Sequence, residues 1–192
     1  MLYVNFLLAF LLNANRSTLF TMTIHFATDH AGFALKEALV SFVRDELGYE
    51  VVDHGAHEFD AQDDYPEFIA RAARAVSDAP ETSRGIILGG SGQGEAIVAN
   101  RFPQVRAVVW YGKVSAREAD QGGQQSGDGM EIIHWAREHN NATILSLGAR
   151  FLSVDDAKEA VRLFLSTPFS GDERHTRRIA AIEQIMRLAS SG

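Results

Sequence analysis

The sequence predicts an α/β fold, a Rossmann-like three-layer α/β/α sandwich around a five-stranded parallel sheet. Three observations lead there. Short apolar runs alternate five times with helix-patterned segments from Met22 onward. Glycine-bearing turns lead from strand-type into helix-type segments, where open parallel sheets hold their ligands. At 192 residues and 46% hydrophobic content, the chain suits one core rather than two.

The elements follow in order. "TIHFAT" (23–28) reads as the first strand. In "GFALKEALVSFVRDELG", Leu35, Leu39, Phe42, Val43 and Leu47 share one helical stripe, and Gly48 ends it. "YEVVD" (49–53) is the second strand, and "YPEFIARAARAV" opens a helix with Pro66 in the first turn, where its missing N–H costs nothing. "RGIILGG" (84–90) is a buried strand, and "EAIVANRF" is a short helix after a bare turn. "VRAVVWY" (105–111) and "ATILSLG" (142–148) supply strands four and five, with the helix "MEIIHWAREHN" between them. Ser153 caps the helix of "SVDDAKEAVRLFLSTP", whose Asp155 and Asp156 suit its positive end. A last helix runs through "RHTRRIAAIEQIMRLA". One stretch breaks the rhythm: "GKVSAREADQGGQQSGDG" (112–129) is polar, glycine-rich and long for a strand-to-helix loop, the signature of a lid or a mobile segment.

Composition narrows the partners. A formal charge of −7 argues against a nucleic-acid surface. With no cysteine there is no disulfide, thiolate metal site or cysteine nucleophile, which suits a reducing, cytoplasmic setting. The apolar run Phe6–Leu12 is too short to span a bilayer. It has the length of a signal core, yet no lysine or arginine precedes it. Residues 1–21 are therefore expected to be an extension outside the fold, and 22–192 the functional domain.

The chemistry gathers around "GGSGQGE" (89–95). Successive N–H groups in such a turn form a nest for a negative charge, either a bound phosphate or a transient oxyanion. The spacing Gly90-x-Gly92-x-Gly94 is not the dinucleotide fingerprint, although Asp53 ends the second strand near where a ribose-binding acid belongs. Glu95, in the first turn of the next helix, has two readings. It is a dipole-favoured helix-start carboxylate, or a general base that the nearby N–H groups keep ionised and weaken. His54 and His57 lie in a loop with no third ligand marked, and His134 and His139 are five apart on a helix, so no metal is expected. His25 reads as a strand residue with a satisfied ring. His139 ends its helix, where a protonated ring is favoured and a proton donor fits. Arg174 and Arg178, four apart, share a helix face that either grips a phosphate or is merely solvated.

As a set, "ATDHAGFALK", "DYPEF", "GIILGGSGQGEAIVANRFP", "REHNNATILSLGAR" and "TPFSGDERHTRR", in that order, resemble the ribose-5-phosphate isomerase B and galactose-6-phosphate isomerase family. The resemblance runs from about Ile24 to Ile185, apart from 112–129. It implies aldose–ketose isomerisation of a sugar phosphate without metal or cofactor, by dimers or tetramers with sites at the subunit interface. Many members place a cysteine base where this chain has Gly89; here the resemblance is to the branch that uses a glutamate after the turn, Glu95. It further implies His139 as the ring-opening proton donor. Asp29, His30, Gly90, Ser91, Gly92, Gln93, Gly94, Asn140, Arg150, Arg174 and Arg178 are the implied substrate ligands. Ribose 5-phosphate leads as substrate. A four- or six-carbon sugar phosphate, a silent sugar-phosphate sensor and a nucleotide-binding flavodoxin-like module stay open.

Overall fold

The computed structural model describes residues 22–189; the expected N-terminal extension, 1–21, lies outside the described residues. Five parallel strands form one sheet: β1 (Thr23–Ala27), β2 (Glu50–Asp53), β3 (Ser83–Gly89), β4 (Ala107–Trp110) and β5 (Ile144–Gly148), in the order β2-β1-β3-β5-β4. Among the described residues six helices accompany them: α1 (Phe33–Ser41), α2 (Tyr65–Asp78), α3 (Gln93–Ala99), α4 (Glu131–Asn140), α5 (Val154–Ser166) and α6 (Glu173–Ala189). None of them is long and apolar enough to cross a membrane.

Side-chain alternation along the strands builds two cores, one on each face of the sheet. Ile24, Phe26, Ile86, Leu88, Leu145 and Leu147 pack with Leu39, Phe42 and Phe164. Ala27, Ile87 and Ile144 face the other way, onto Ile69, Ala72, Ala73, Val76 and Ala99. The expected stripe on the first helix is buried through Leu35, Leu39, Phe42 and Val43, with Leu47 packed against it. Its geometry differs from a plain α-helix: a 3-10 turn at His30–Gly32 opens it and a π-helical turn at Phe42–Glu46 closes it. Gly48, at φ 74°, then takes the left-handed conformation that ends the helix. Ser153 caps α5 as expected, its hydroxyl accepting from the Asp156 amide at 3.1 Å.

Sheet order fixes where a site belongs. The chain leaves β1 toward β2 on one side, then returns past β1 to β3 on the other. The connections after β1 and β3 diverge, and the crevice between their carboxyl ends is the switch point of the fold. Asp29 and His30 follow β1 there, and the glycine turn follows β3.

Two buried polar contacts brace this end. The Lys36 ammonium, fully buried, pairs with Asp53, donates to the Ala56 carbonyl at 2.8 Å and meets Glu37 at 2.9 Å. Asp53 is thereby committed to α1, which removes the ribose-binding acid of a dinucleotide site. On the neighbouring strand a His25 ring nitrogen lies 3.0 Å from His54 Nε2, satisfying the ring as expected. Burial, then the proximity of His54, lowers the His25 pKa from 6.5 to about 4.

A histidine whose folded pKa is depressed binds its proton better in the unfolded chain. Its contribution to stability is present above about pH 6.5 and is lost as pH falls toward about 4. By pH 5 the loss is about 2 kcal/mol. Urea unfolding at pH 7 and pH 5 should show that drop, and His25→Gln should flatten it.

Candidate active site

β3 ends at Gly89, and α3 begins four residues later at Gln93. Gly92, at φ 75°, makes the reversal between them in a conformation that side-chain-bearing residues avoid. Its carbonyl accepts from Ser146 Oγ on β5 at 2.7 Å, which ties the turn to the sheet. The Gln93 amide reaches Ser91 Oγ at 3.4 Å, and those of Ser91, Gly92 and Gly94 donate to no acceptor among the described residues. The nest read from the sequence is open.

Glu95, 4% exposed, sits over the α-carbon of Gly89. A methyl group built on Gly89 would overlap the Glu95 carboxylate, so the bare end of β3 is the space the carboxylate occupies. Likewise a side chain at Gly94 would strike the Tyr65 hydroxyl, and Gly90 packs against the Arg150 guanidinium. Asp29, His30, Tyr65, Gly90, Ser91, Gly94, Glu95, Arg150 and Phe151 line one cavity of about 440 Å³.

Electrostatics here correct one expectation. The carboxyl of Glu95 is not held down by nearby N–H groups: burial pushes it above the usual value, its own backbone N–H opposes that, and Asp29 adds to the rise. A carboxylate of raised pKa is a better proton acceptor near neutrality. His30 is held by Asp63, whose Oδ1 accepts from the His30 amide at 2.9 Å and lies 2.8 Å from its Nδ1. That hydrogen bond is the main cause of a raised His30 pKa. Asp29 Oδ1 accepts from the Ala31 amide at 2.9 Å. Asp29, His30 and Asp63 bring ligand-type atoms within 4.8 Å of one another, but the Asp63–His30 bond already joins two of them.

The other expected residues lie elsewhere. His139 is in the last turn of α4, which runs into the amino end of β5, whereas Glu95 follows the carboxyl end of β3. With all strands parallel, these are opposite ends of the sheet. His139 and Arg174 line a second cavity of about 300 Å³ with Asp120, Gly122, Gln124, Glu138, Pro168, Ser170, Asp172 and His175. No residue lines both cavities. Gly92, Gln93, Asn140 and Arg178 line neither; Asn140 turns back to the Trp135 carbonyl at 3.2 Å, and Arg178 is exposed. Within one chain, the lining residues expected from sequence thus fall into two separate cavities, one at each end of the sheet.

Sequence reasoning missed Tyr65, Asp63 and Asp120. The first two stand in or beside "DYPEF", at the start of α2, where a carboxyl-end crevice could have been suspected. Asp120 had no signal. It lies in the 112–129 segment, which contains no helix or strand, and its Oδ2 is 3.2 Å from His139 Nε2. His54 Nε2 lies 3.0 Å from His25 Nδ1, and His57 Nδ1 is 3.8 Å from Asp53 Oδ2.

The fold and the crevice define a class: a parallel α/β protein holding a buried carboxylate, an open amide nest and an arginine around one polar cavity. The sequence profile described as Ribose/Galactose Isomerase matches residues 24–124 and 129–182. The chain belongs to that family. It is 39% identical over 168 residues to ribose-5-phosphate isomerase B of Mycolicibacterium paratuberculosis, covering 86% of this chain and 92% of the relative. Against the enzyme of the same name from Escherichia coli it is 33% identical over 162 residues, covering 84% and 95%. Among solved structures, ribose-5-phosphate isomerase B of Mycoplasma genitalium with bound ribulose 5-phosphate superposes with a TM-score of 0.74 at 30% identity, covering 87% of this chain and 97% of that one. The type B enzyme of Trypanosoma cruzi gives 0.73 at 34%, covering 90% and 99%.

Gly89→Ala tests the geometry. The added methyl must push the Glu95 carboxylate aside, and a displacement of about 1 Å is enough to cost on the order of 100-fold in rate. Isomerase turnover should fall by about that factor while the circular dichroism spectrum is retained.

Proposed function

We propose that the chain is an aldose–ketose isomerase that interconverts ribose 5-phosphate and ribulose 5-phosphate, with Glu95 as its base. The observation behind this reading is the Glu95 carboxylate, buried over Gly89 and bordered by open turn amides. The relatives named for this reaction and the ribulose 5-phosphate complex of one of them support the substrate.

The geometry suggests the following course. The cyclic sugar opens as His139 gives a proton to the ring oxygen, the bond from that oxygen to C1 breaks, and the O1 hydroxyl gives up its proton to solvent. Glu95 then takes the C2 proton of the open aldose, which leaves an enediolate whose oxygen charge meets the amides of the 90–94 turn. In other enzymes one such donor is worth about 10²–10³ in rate. The O2 hydroxyl proton passes to O1, and Glu95 returns its proton to C1, giving the ketose. Asp29 and His30 hold hydroxyl groups, and Arg150, Arg174 and Arg178 neutralise the phosphate. No step asks for a metal or a cofactor.

This course requires two copies of the chain. Strands of five residues put the sheet ends about 17 Å apart, too far for one pentose phosphate to touch Glu95 and His139 of the same chain. In the dimer we infer, the Glu95 half-site of one copy faces the His139 half-site of the other. Exposed apolar side chains support an interface: Ile97 on α3, and Ile182, Ile185 and Leu188 on α6.

Two inactive variants test base and assembly together. Glu95→Gln and His139→Ala should each lose most turnover in coupled isomerase assays on ribose 5-phosphate. Co-refolded in equal amounts, they should recover about a quarter of wild-type activity, because half the dimers are mixed and each mixed dimer has one intact site of two. Full activity of Glu95→Gln alone removes its role as base, and no recovery on mixing removes the shared site.

A further inference from the structure

The 112–129 segment is the feature of this chain that the isomerase reading leaves unused. It leaves β4 through Gly112 (φ 148°) and re-enters before α4 through Gly129 (φ 79°), with its base pinned where the Val114 amide donates to the Gly129 carbonyl at 2.8 Å. Between these stems it folds onto the His139 half-site.

There it takes up the side chains of His139 and Arg174. Asp120 Oδ2 lies 3.2 Å from His139 Nε2 and 3.7 Å from Arg174 Nη2. Arg174 Nη1 donates to Gln121 Oε1 at 3.0 Å, and its Nε donates to His175 Nε2 at 3.0 Å. Every nitrogen of the guanidinium thus faces a protein group. Asp120 is locked in place as well: its Oδ1 accepts from the Gly122 and Gln124 amides, each at 2.8 Å, and its side chain is only 10% exposed. Its carboxylate occupies the position between an imidazole and an arginine that a bound anion would take.

We propose that the 112–129 segment is a strap displaced by substrate, in which Asp120 and Gln121 hold His139 and Arg174 until a phosphate monoester dianion replaces them. This rests on the reading of His139 and Arg174 as substrate ligands. A dianion offers a guanidinium two strong, charge-assisted acceptors and outbids a monovalent carboxylate. A sugar without phosphate has nothing with which to displace the strap, so Asp120 sets selectivity as well as affinity. The strap reduces apparent affinity by the fraction of molecules in which it is closed.

Asp120→Asn keeps Oδ1 for the Gly122 and Gln124 amides and removes the charge. By calorimetry the Kd for ribose 5-phosphate should fall about twofold to fivefold, the range of a single partly screened ion pair. The same substitution should have a smaller effect in an Arg174→Ala background, where only the His139 contact is left to release. Hydrogen exchange over 114–128 should become faster, not slower, when ribose 5-phosphate saturates the wild-type protein. Unchanged or weaker binding by Asp120→Asn overturns the strap, and so does slower exchange with ligand, the mark of a lid that closes over it. Arg174→Ala alone keeps the two readings apart. If it loses sugar-phosphate affinity while Asp120→Asn changes nothing, the site assignment stands and the strap falls. If Arg174→Ala binds as tightly as wild type, both are lost.

Discussion

A missing side chain organises this molecule. Gly89 ends the central strand with nothing beyond its α-carbon, and the Glu95 carboxylate fills that space. The arrangement needs a strand, a reversal through the left-handed Gly92 and the first turn of a helix, all in immediate succession. It also needs the sheet to change direction beside it, so that Asp29 and His30 arrive from β1 at the same crevice. Burial then raises the proton affinity of a group that an exposed helix start would have left an ordinary acid. Sequence, backbone conformation and proton chemistry meet at this one contact.

The two ends of the sheet are electrostatic opposites. At the carboxyl end two carboxylates, Asp29 and Glu95, stand close enough for one to raise the pKa of the other. At the amino end a histidine and an arginine converge on the carboxylate of Asp120, whose pKa is lowered first by the Gln124 amide and then, among other causes, by Gly122, His139 and Arg174. One end holds a buried carboxyl of raised pKa. The other holds a carboxylate set between a histidine and an arginine.

Much of this was legible from residues alone, for definite reasons. All five strands and the helices after them follow from apolar periodicity and from Gly48, Pro66 and Ser153 at their ends, because local sterics fix those positions. Glu95 was visible because glycine spacing and a following carboxylate are adjacent in the chain. Its raised proton affinity was not, since amide neighbours can be read from sequence and desolvation cannot. His139 and Arg174 were recognisable as a set with Glu95, but motif order does not say which end of a sheet a residue occupies. Asp120 was invisible. Its partners are 19 and 54 positions away, and nothing in a polar loop announces where it folds.

A parallel sheet is a vector, and this chain has put unlike halves at its head and its tail. Two such arrows that meet tip to tail can line up in an endless row or lie side by side pointing opposite ways. Only the second closes on itself with no half left over. If the two cavities are halves of one centre, as proposed above, polarity within a single chain favours completed centres in pairs, and a lone molecule would hold both halves and complete neither.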